Sequence, residues 1–252
     1  MLVPNVMLAV GLVLMLAALS WAQERAPGAA PEPQSEVTVR WYGQAFFSLT
    51  RSDGFTVAID PFKEMGYPMP KGLRADVALL THTHFDHANL GIIQGSPTVL
   101  KAEEAVGSHT VQGVTFAGTA SFHDERQGAQ RGKNTAFSFE LAGVRFCHMG
   151  DIGHLLSDEQ RASTGPVDVL MVPVGGHYTI DVEKVDALIA QLNPKVVIPM
   201  HFKTEAAPNL PIAPVSTWLE GKTSVKRLGS PSVTIGAADL PDSQEIWVLD
   251  YK

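Results

Sequence analysis

The stretch Asp76–Gly91, DVALLTHTHFDHANLG, constrains this chain more than any other. Val77-Ala78-Leu79-Leu80 is a short apolar run that reads as a buried strand. His82, His84, Asp86 and His87 follow it, all potential metal ligands. His82 and His84 are two residues apart, so at an extended strand end their imidazoles project to the same side. Asp86 and His87 fall where the chain leaves the strand and enters a helical turn. Imidazole and carboxylate without thiolate suit zinc first, with iron or manganese behind it.

The rest of the chain provides a scaffold for such a cluster. Its 252 residues, 45% hydrophobic and 18% charged, are enough for one sizeable α/β domain. A net charge of −7 without a long basic run argues against nucleic acid as the main partner. Val6–Ala22 is almost continuously apolar, and Ser20-Trp21-Ala22 places small residues at the −3 and −1 positions of a cleavage site. Residues 1–22 therefore read as a secretory signal peptide, although Met1–Asn5 has no Lys or Arg. The expectation is a periplasmic or secreted protein cleaved near Ala22; the alternative is an uncleaved N-terminal anchor, the one route to membrane contact. Gln23–Ser35, rich in Pro, Ala and Gly, reads as a flexible linker, which leaves 36–252 as the folded domain. The single cysteine, Cys147, lies in an apolar run and reads as a core thiol.

Three short strands joined by turns (Val37–Trp41, Ala45–Leu49, Phe55–Ile59) predict an antiparallel meander. Phe62–Arg74 has no periodicity; its aromatic and Met side chains either line a substrate entrance or pack beneath a long loop. Further strands are expected at Pro97–Lys101, Val114–Ala120, Ala136–Leu141, Val144–His148, Val167–Val174 and Lys195–Met200. Glu125–Lys133 reads as a charged, glycine-containing loop, and Ser157 as the cap of a short helix. Asp181–Leu192 is the clearest helix, with Val182, Val185, Leu188, Ile189 and Leu192 at helical spacing and Asn193-Pro194 stopping it. The weakly alternating tail, Ser224–Tyr251, is expected to complete a sheet edge.

A pattern recurs in which an apolar strand delivers a ligand: His82 and His84, then His123, Asp151 and His201. With Asp86 and His87 these are too many for one tetrahedral ion that keeps an open position, and they fit two. The simplest division gives His82, His84 and His123 to one ion and Asp86, His87 and His201 to the other, with Asp151 bridging. The chemistry expected is hydrolysis by a metal-bridging hydroxide, oriented and deprotonated by Asp86. His177, in a Gly-Gly loop after a buried strand, is a candidate for substrate contact or leaving-group protonation. His148 reads as a residue that orients a ligand, His154 as a helix cap or site neighbour, and His109 as a surface group.

THTHFDH at Thr81–His87, with His123, Gly150-Asp151 and Pro199-Met200-His201, resembles the metallo-β-lactamase superfamily of metal-dependent hydrolases. Thr135–Leu141, His148–His154, Pro173–Gly176 and Val197–His201 are similar to its branch of uncharacterised and ascorbate-lactonase-like Zn-dependent hydrolases. The resemblance implies an α/β four-layer αββα sandwich with a dimetal site along one edge. It also implies a small ester, lactone or phosphodiester as substrate. An iron-dependent oxygenase and a phospholipid-cleaving phosphodiesterase are the alternatives within the same superfamily. His84 stands where the diiron reductases carry Glu, and Asp151 argues against antibiotic hydrolysis. Related sequences carry Gly-His-Ala where this one has Gly43-Gln44-Ala45, so any role of that histidine is absent here.

Overall fold

The computed structural model describes residues 36–252; the expected signal peptide and linker lie outside the described residues. Strands β1 (Val37–Gly43), β2 (Phe46–Arg51) and β3 (Thr56–Ile59) form the expected antiparallel meander. The strands β4 (Val77–Leu80) and β5 (Thr98–Lys101) then add in parallel. Next come β6 (Gly107–Val111), β7 (Val114–Phe122), β8 (Lys133–Leu141) and β9 (Val144–His148), which pair with one another in order, antiparallel throughout. Helix α1 (Asp158–Thr164), strand β10 (Val169–Pro173), helix α2 (Val182–Leu192) and strand β11 (Val196–Met200) follow. Helix α3 (Val215–Leu219) and strands β12 (Val225–Arg227), β13 (Ser232–Ile235) and β14 (Glu245–Val248) end the fold. They assemble into two mixed sheets, ordered β13-β1-β2-β3-β4-β5 and β12-β14-β11-β10-β9-β8-β7-β6. The tail thus supplies an edge strand to each sheet, β13 and β12, and sets β14 one place inside the second.

The two-residue period of the strands builds the layers. Val57, Ile59, Val77 and Leu79 join the large core that also holds Phe137, Phe146, Leu170 and Val197 of the second sheet. The alternate residues Phe46, Ala58 and Ala78 belong to a separate cluster with Phe62, Tyr67, Ile93 and Ala207. Outside the second sheet lie the helices: α1 against β7 and β8, α2 against β10 through its buried Val185, Leu188 and Ile189. Ser157 and Gln160 close a capping box at the start of α1, and Asn193 in left-handed conformation ends α2 before Pro194. Over the first sheet, among the described residues, the outer layer is loop with one 3-10 turn, Leu90–Ile92. The architecture is the αββα sandwich, with one of its outer layers largely irregular.

Cys147 is buried in the core, where burial pushes its thiol up to about 12. The loop 62–74 serves both expected purposes. Phe62 and Tyr67 pack in the outer cluster, while Met65 lines a cavity. That cavity lies where β4, β7, β9 and β11 end, at one rim of the sandwich.

Candidate metal centre

Four strand ends converge on one volume. Leu80 ends β4 and is followed by Thr81 and the His82–His87 segment; β7 runs into His123, β9 into Asp151 and β11 into His201. One ligand atom from each of His82, His84 and His123 lies within 4.8 Å of the others, and the same holds for Asp86, His87 and His201. Asp151 sits between the groups: its Oδ2 is 3.1 Å from His123 Nε2, 3.2 Å from His201 Nε2, 3.3 Å from His87 Nε2 and 4.0 Å from His82 Nε2. These two groupings coincide with the division read from the sequence, and a third, Asp60 with His82 and His87, cuts across it.

The hydrogen bonds around these rings fix which nitrogens turn inward. Asp60 is fully buried and accepts from Thr81 N at 2.7 Å and Thr81 Oγ1 at 2.7 Å. Having donated its only proton to Asp60, the Thr81 hydroxyl accepts from His82 Nδ1, 3.0 Å away. Asp60 Oδ2 also lies 2.9 Å from His87 Nδ1, which donates to it. Both imidazoles therefore carry a proton on Nδ1 and turn Nε2 inward, where for His87 a second proton or a cation meets the charge of Asp151. Those two Nε2 atoms are buried and unpartnered, as are Asp151 Oδ1 and the Nδ1 atoms of His123 and His201. Lone pairs facing a carboxylate in a buried site are costly unless cations lie between them. The donor set, N and O without S, fits zinc-type divalent ions.

The local charge follows from the same packing. Burial alone would depress the His87 imidazole, but Asp151 and Asp60 on either side hold it well above its ordinary range. His123 is likewise raised, with Asp151 outweighing burial. His82 is depressed by burial and by neighbouring His87, and the more open His84 by burial and His123. Asp151 is held far below the carboxylate range: burial opposes this, and His201 and His87 outweigh it.

Several supporting residues escape a reading by strand-end ligands alone. Asp60 follows β3, so its signal was the same apolar strand followed by an acid, here before Pro61. Asn134 accepts from Asp151 N at 3.0 Å and donates to Ser121 Oγ and Met149 O, so it fixes the backbone that presents Asp151. The neighbouring Gly150 has φ +56, and a Cβ there would meet Asn134 Oδ1 at 2.3 Å and Thr81 at 2.7 Å; only glycine fits. Gln44, at the position where the resemblance leads one to expect histidine, is buried and donates from Nε2 to Asp86 Oδ2 at 3.1 Å. Gln44, Asp60 and His201 all adopt left-handed backbone conformations, the kind of strain that gathers at sites.

The remaining histidines take structural positions. His148 donates from Nε2 to Ala45 O and accepts Gly150 N–H at Nδ1, which ties the β1–β2 turn to the segment carrying Asp151. It orients backbone, where a hydrogen bond to a ligand side chain was expected. His154 Nε2 accepts from Phe122 N, and Nδ1 faces Leu155 O. His109 is half-buried on the edge strand β6. His177 is exposed, packs edge-on against Tyr178 and is not among the residues lining the cavity; Tyr178 is. The cavity itself, about 440 Å³, is lined by His84, Asp86, His123, Asp151 and His201 with Gln44 at its floor.

A family model described as a beta-lactamase superfamily domain matches residues 38–201, which takes in every candidate ligand. The chain belongs to the β-lactamase superfamily. It is 31% identical over 221 residues to a UPF0173 metal-dependent hydrolase of Methanoculleus marisnigri, covering 77% of this chain and 94% of the relative. A counterpart in Thermoplasma volcanium is 29% identical over 193 residues, covering 67% and 85%. Among solved structures, a Thermotoga maritima protein assigned to the Zn-dependent hydrolases of the metallo-β-lactamase superfamily superposes with TM-score 0.69 and 34% identity. The match covers 84% of this chain and 98% of that one. A Parabacteroides distasonis protein at 15% identity shares the fold, with TM-score 0.62 over 86% of this chain and 94% of its own. The chain is thus a metal-dependent hydrolase of this superfamily, with His and Asp groups able to bind metal.

Proposed function

We propose that this chain hydrolyses a small ester, lactone or phosphodiester with two divalent ions, zinc first, held as the two ligand groups divide. His82, His84 and His123 would hold one ion and Asp86, His87 and His201 the other, with Asp151 between them. The observation that carries this reading is the buried, unpartnered Nε2 pair of His82 and His87 facing Asp151, turned inward by the bonds that Asp60 and Thr81 make on the Nδ1 side. Bound ions of this kind supply a water ionised near neutral pH and an electrophilic contact for the substrate oxygen.

The chain's own residues supply the positioning. Gln44 holds Asp86 Oδ2, and no other hydrogen bond reaches the carboxylate among the described residues, so Oδ1 remains to orient the attacking water and accept its proton. Asn134 and His148 hold the backbone of Asp151 and Gly150, so the central carboxylate keeps its aim as charge develops. His177 reaches the cavity only through Tyr178 and through its own carbonyl, so we assign it no proton transfer. We also infer export with cleavage near Ala22, supported by the apolar leader and its small residues at the cleavage site.

Elemental analysis of protein purified without added metal tests the reading. Close to two zinc or manganese ions per chain, with turnover of a lactone, thioester or phosphodiester panel, is the expected result. About one iron per chain would move the assignment to an oxygenase. No metal, and none taken up on reconstitution, would overturn it. Asp86→Ala should lose most hydrolysis and one of the two ions; full activity with both ions would refute the assignment of Asp86.

A further inference from the structure

The loop after His123 is built around a single carboxylate. Asp124 accepts the backbone N–H groups of Arg126, Gly128, Gln130 and Arg131 at 2.7–3.0 Å, and the turn closes where Gly132 N meets Gly128 O. A loop that reads in sequence as charged and glycine-containing is thereby folded onto one buried anchor, and Gln130 and Arg131 are delivered to the cavity wall. Burial opposes ionisation of Asp124, yet these N–H groups hold its carboxyl below the usual range.

Arg131 is the residue this arrangement presents. It is half-buried and is the one Lys or Arg among the cavity-lining residues. One guanidinium nitrogen donates to His177 O at 2.9 Å, and the group lies 5.9 Å from the Tyr178 ring centroid. Among the described residues it makes no ion pair, a state it shares with other cations such as Arg126 and Lys203, but it is the one of them that lines the cavity. A guanidinium with one donor tied to a carbonyl and its fork otherwise open is built to receive an anion. Beside it the cavity is apolar: Met65, Leu210, Tyr178 and Phe85, the last 61% exposed at the mouth.

We propose that the cavity selects substrates that carry an anionic group beside an apolar arm, and that Arg131 receives the anion. This rests on the hydrolase reading above and names its substrate class: a carboxylate-bearing ester or lactone. The ligand cluster cleaves, Phe85, Met65 and Leu210 cover the apolar arm, and Arg131 sets which end faces the ions. Arg131 is a specificity residue, since the bond-breaking groups lie elsewhere in the cavity.

The test uses two esters of equal length on the metal-loaded protein, p-nitrophenyl hexanoate and the p-nitrophenyl monoester of adipic acid, which differ by a terminal carboxylate. The adipate ester should have the lower KM. Arg131→Gln should raise that KM about 10- to 100-fold, leave kcat near its value and leave the hexanoate ester unaffected. Arg131→Lys should recover part of the loss. A merely structural role, through the bond to His177 O, would move both substrates together, and that result would overturn the proposal. Binding of hexanamide and adipamate, which differ by the same terminal carboxylate, followed by calorimetry, decides the matter even if neither ester is cleaved. Tighter binding of adipamate that is lost in Arg131→Gln supports the anion site, although the hydrolase reading would then have failed on these esters. Equal binding of both amides to wild type and variant would overturn the anion site and leave hydrolysis of the neutral ester untouched.

Discussion

At the residue scale, the site is governed by where protons sit. Thr81 is the pivot, because one hydroxyl both donates to Asp60 and accepts from His82 Nδ1. Thr81→Val keeps the shape and the backbone bond to Asp60 Oδ1 but removes the relay, so His82 can take the other tautomer and close its Nε2 lone pair. Loss of such an outer partner typically costs about 10- to 100-fold in metal affinity or activity. Thr81→Ser keeps the hydroxyl and should stay near wild type. Metal titration of the two variants checks this, and equal affinity would show that the relay does not set the tautomer. His177→Ala should change hydrolysis less than Thr81→Val does, as its ring lies outside the cavity; a larger loss in a rate assay would restore it as a proton donor.

At the scale of elements, the strands that carry ligands are pinned at their far ends. Asp168, just before β10, accepts from Arg145 N, Nε and Nη2 on β9 at 2.6–3.0 Å, and its carbonyl accepts from Lys195 and Val196 at the start of β11. The Arg145 guanidinium holds the Asp168 carboxyl below its ordinary range. A carboxyl depressed by folding stabilises the fold above its unfolded pKa, about 3.9, and that contribution is lost as pH falls through the folded value. Asp168→Asn should therefore cost about 1–2 kcal/mol at neutral pH, a figure kept low because the Arg145 side chain is partly exposed. The gap between wild type and variant in urea unfolding should shrink as the pH drops below the carboxylate range. A gap unchanged by acid would mean that the charge is not what holds these strands.

The same scale explains what could be read in advance. Val77–Leu80, Val144–His148 and Val196–Met200 were legible because each is a mainly apolar run that leads directly into polar residues, Thr81-His82, His148 and His201, the mark of a buried strand reaching a rim. The edge strand β6, Gly-Ser-His-Thr-Val, was not, since it buries no face and is held only by pairing with β7. Helix α3 is five residues long, too short for a period to show. The candidate ligands stand out in the sequence because they follow apolar strands. Asp60, Asn134, Gln44 and Arg131 act on partners or on a cavity wall supplied by distant segments, and only the closed sandwich brings Gln44 to Asp86 or Asp60 to His87.

For the whole molecule, the ligands come from both sheets: His82 to His87 from the end of β4 in the first, His123, Asp151 and His201 from the ends of β7, β9 and β11 in the second. Protein contacts close the rim they form at several points: His148 Nε2 donates to Ala45 O, His201 N to Gln44 O and Thr135 N to Thr81 O, each from the second sheet to the first. Elsewhere it brings carboxylates and unpartnered imidazole nitrogens together. Ions bound there would cross-link the two sheets and would bind the folded state in preference to the unfolded chain. At a free-ion concentration about 1,000 times Kd this linkage is worth about 4 kcal/mol, which for a domain of this size corresponds to a Tm shift on the order of 10 °C. Chelation should therefore lower Tm by that order, and stoichiometric zinc should restore it. Asp151→Asn, which removes the charge shared by both groups, should lower the starting Tm and blunt the response to chelator. If scanning calorimetry finds the same Tm with and without chelator, while elemental analysis confirms that the ions have gone, the rim is held by the protein alone and the ions serve only the chemistry.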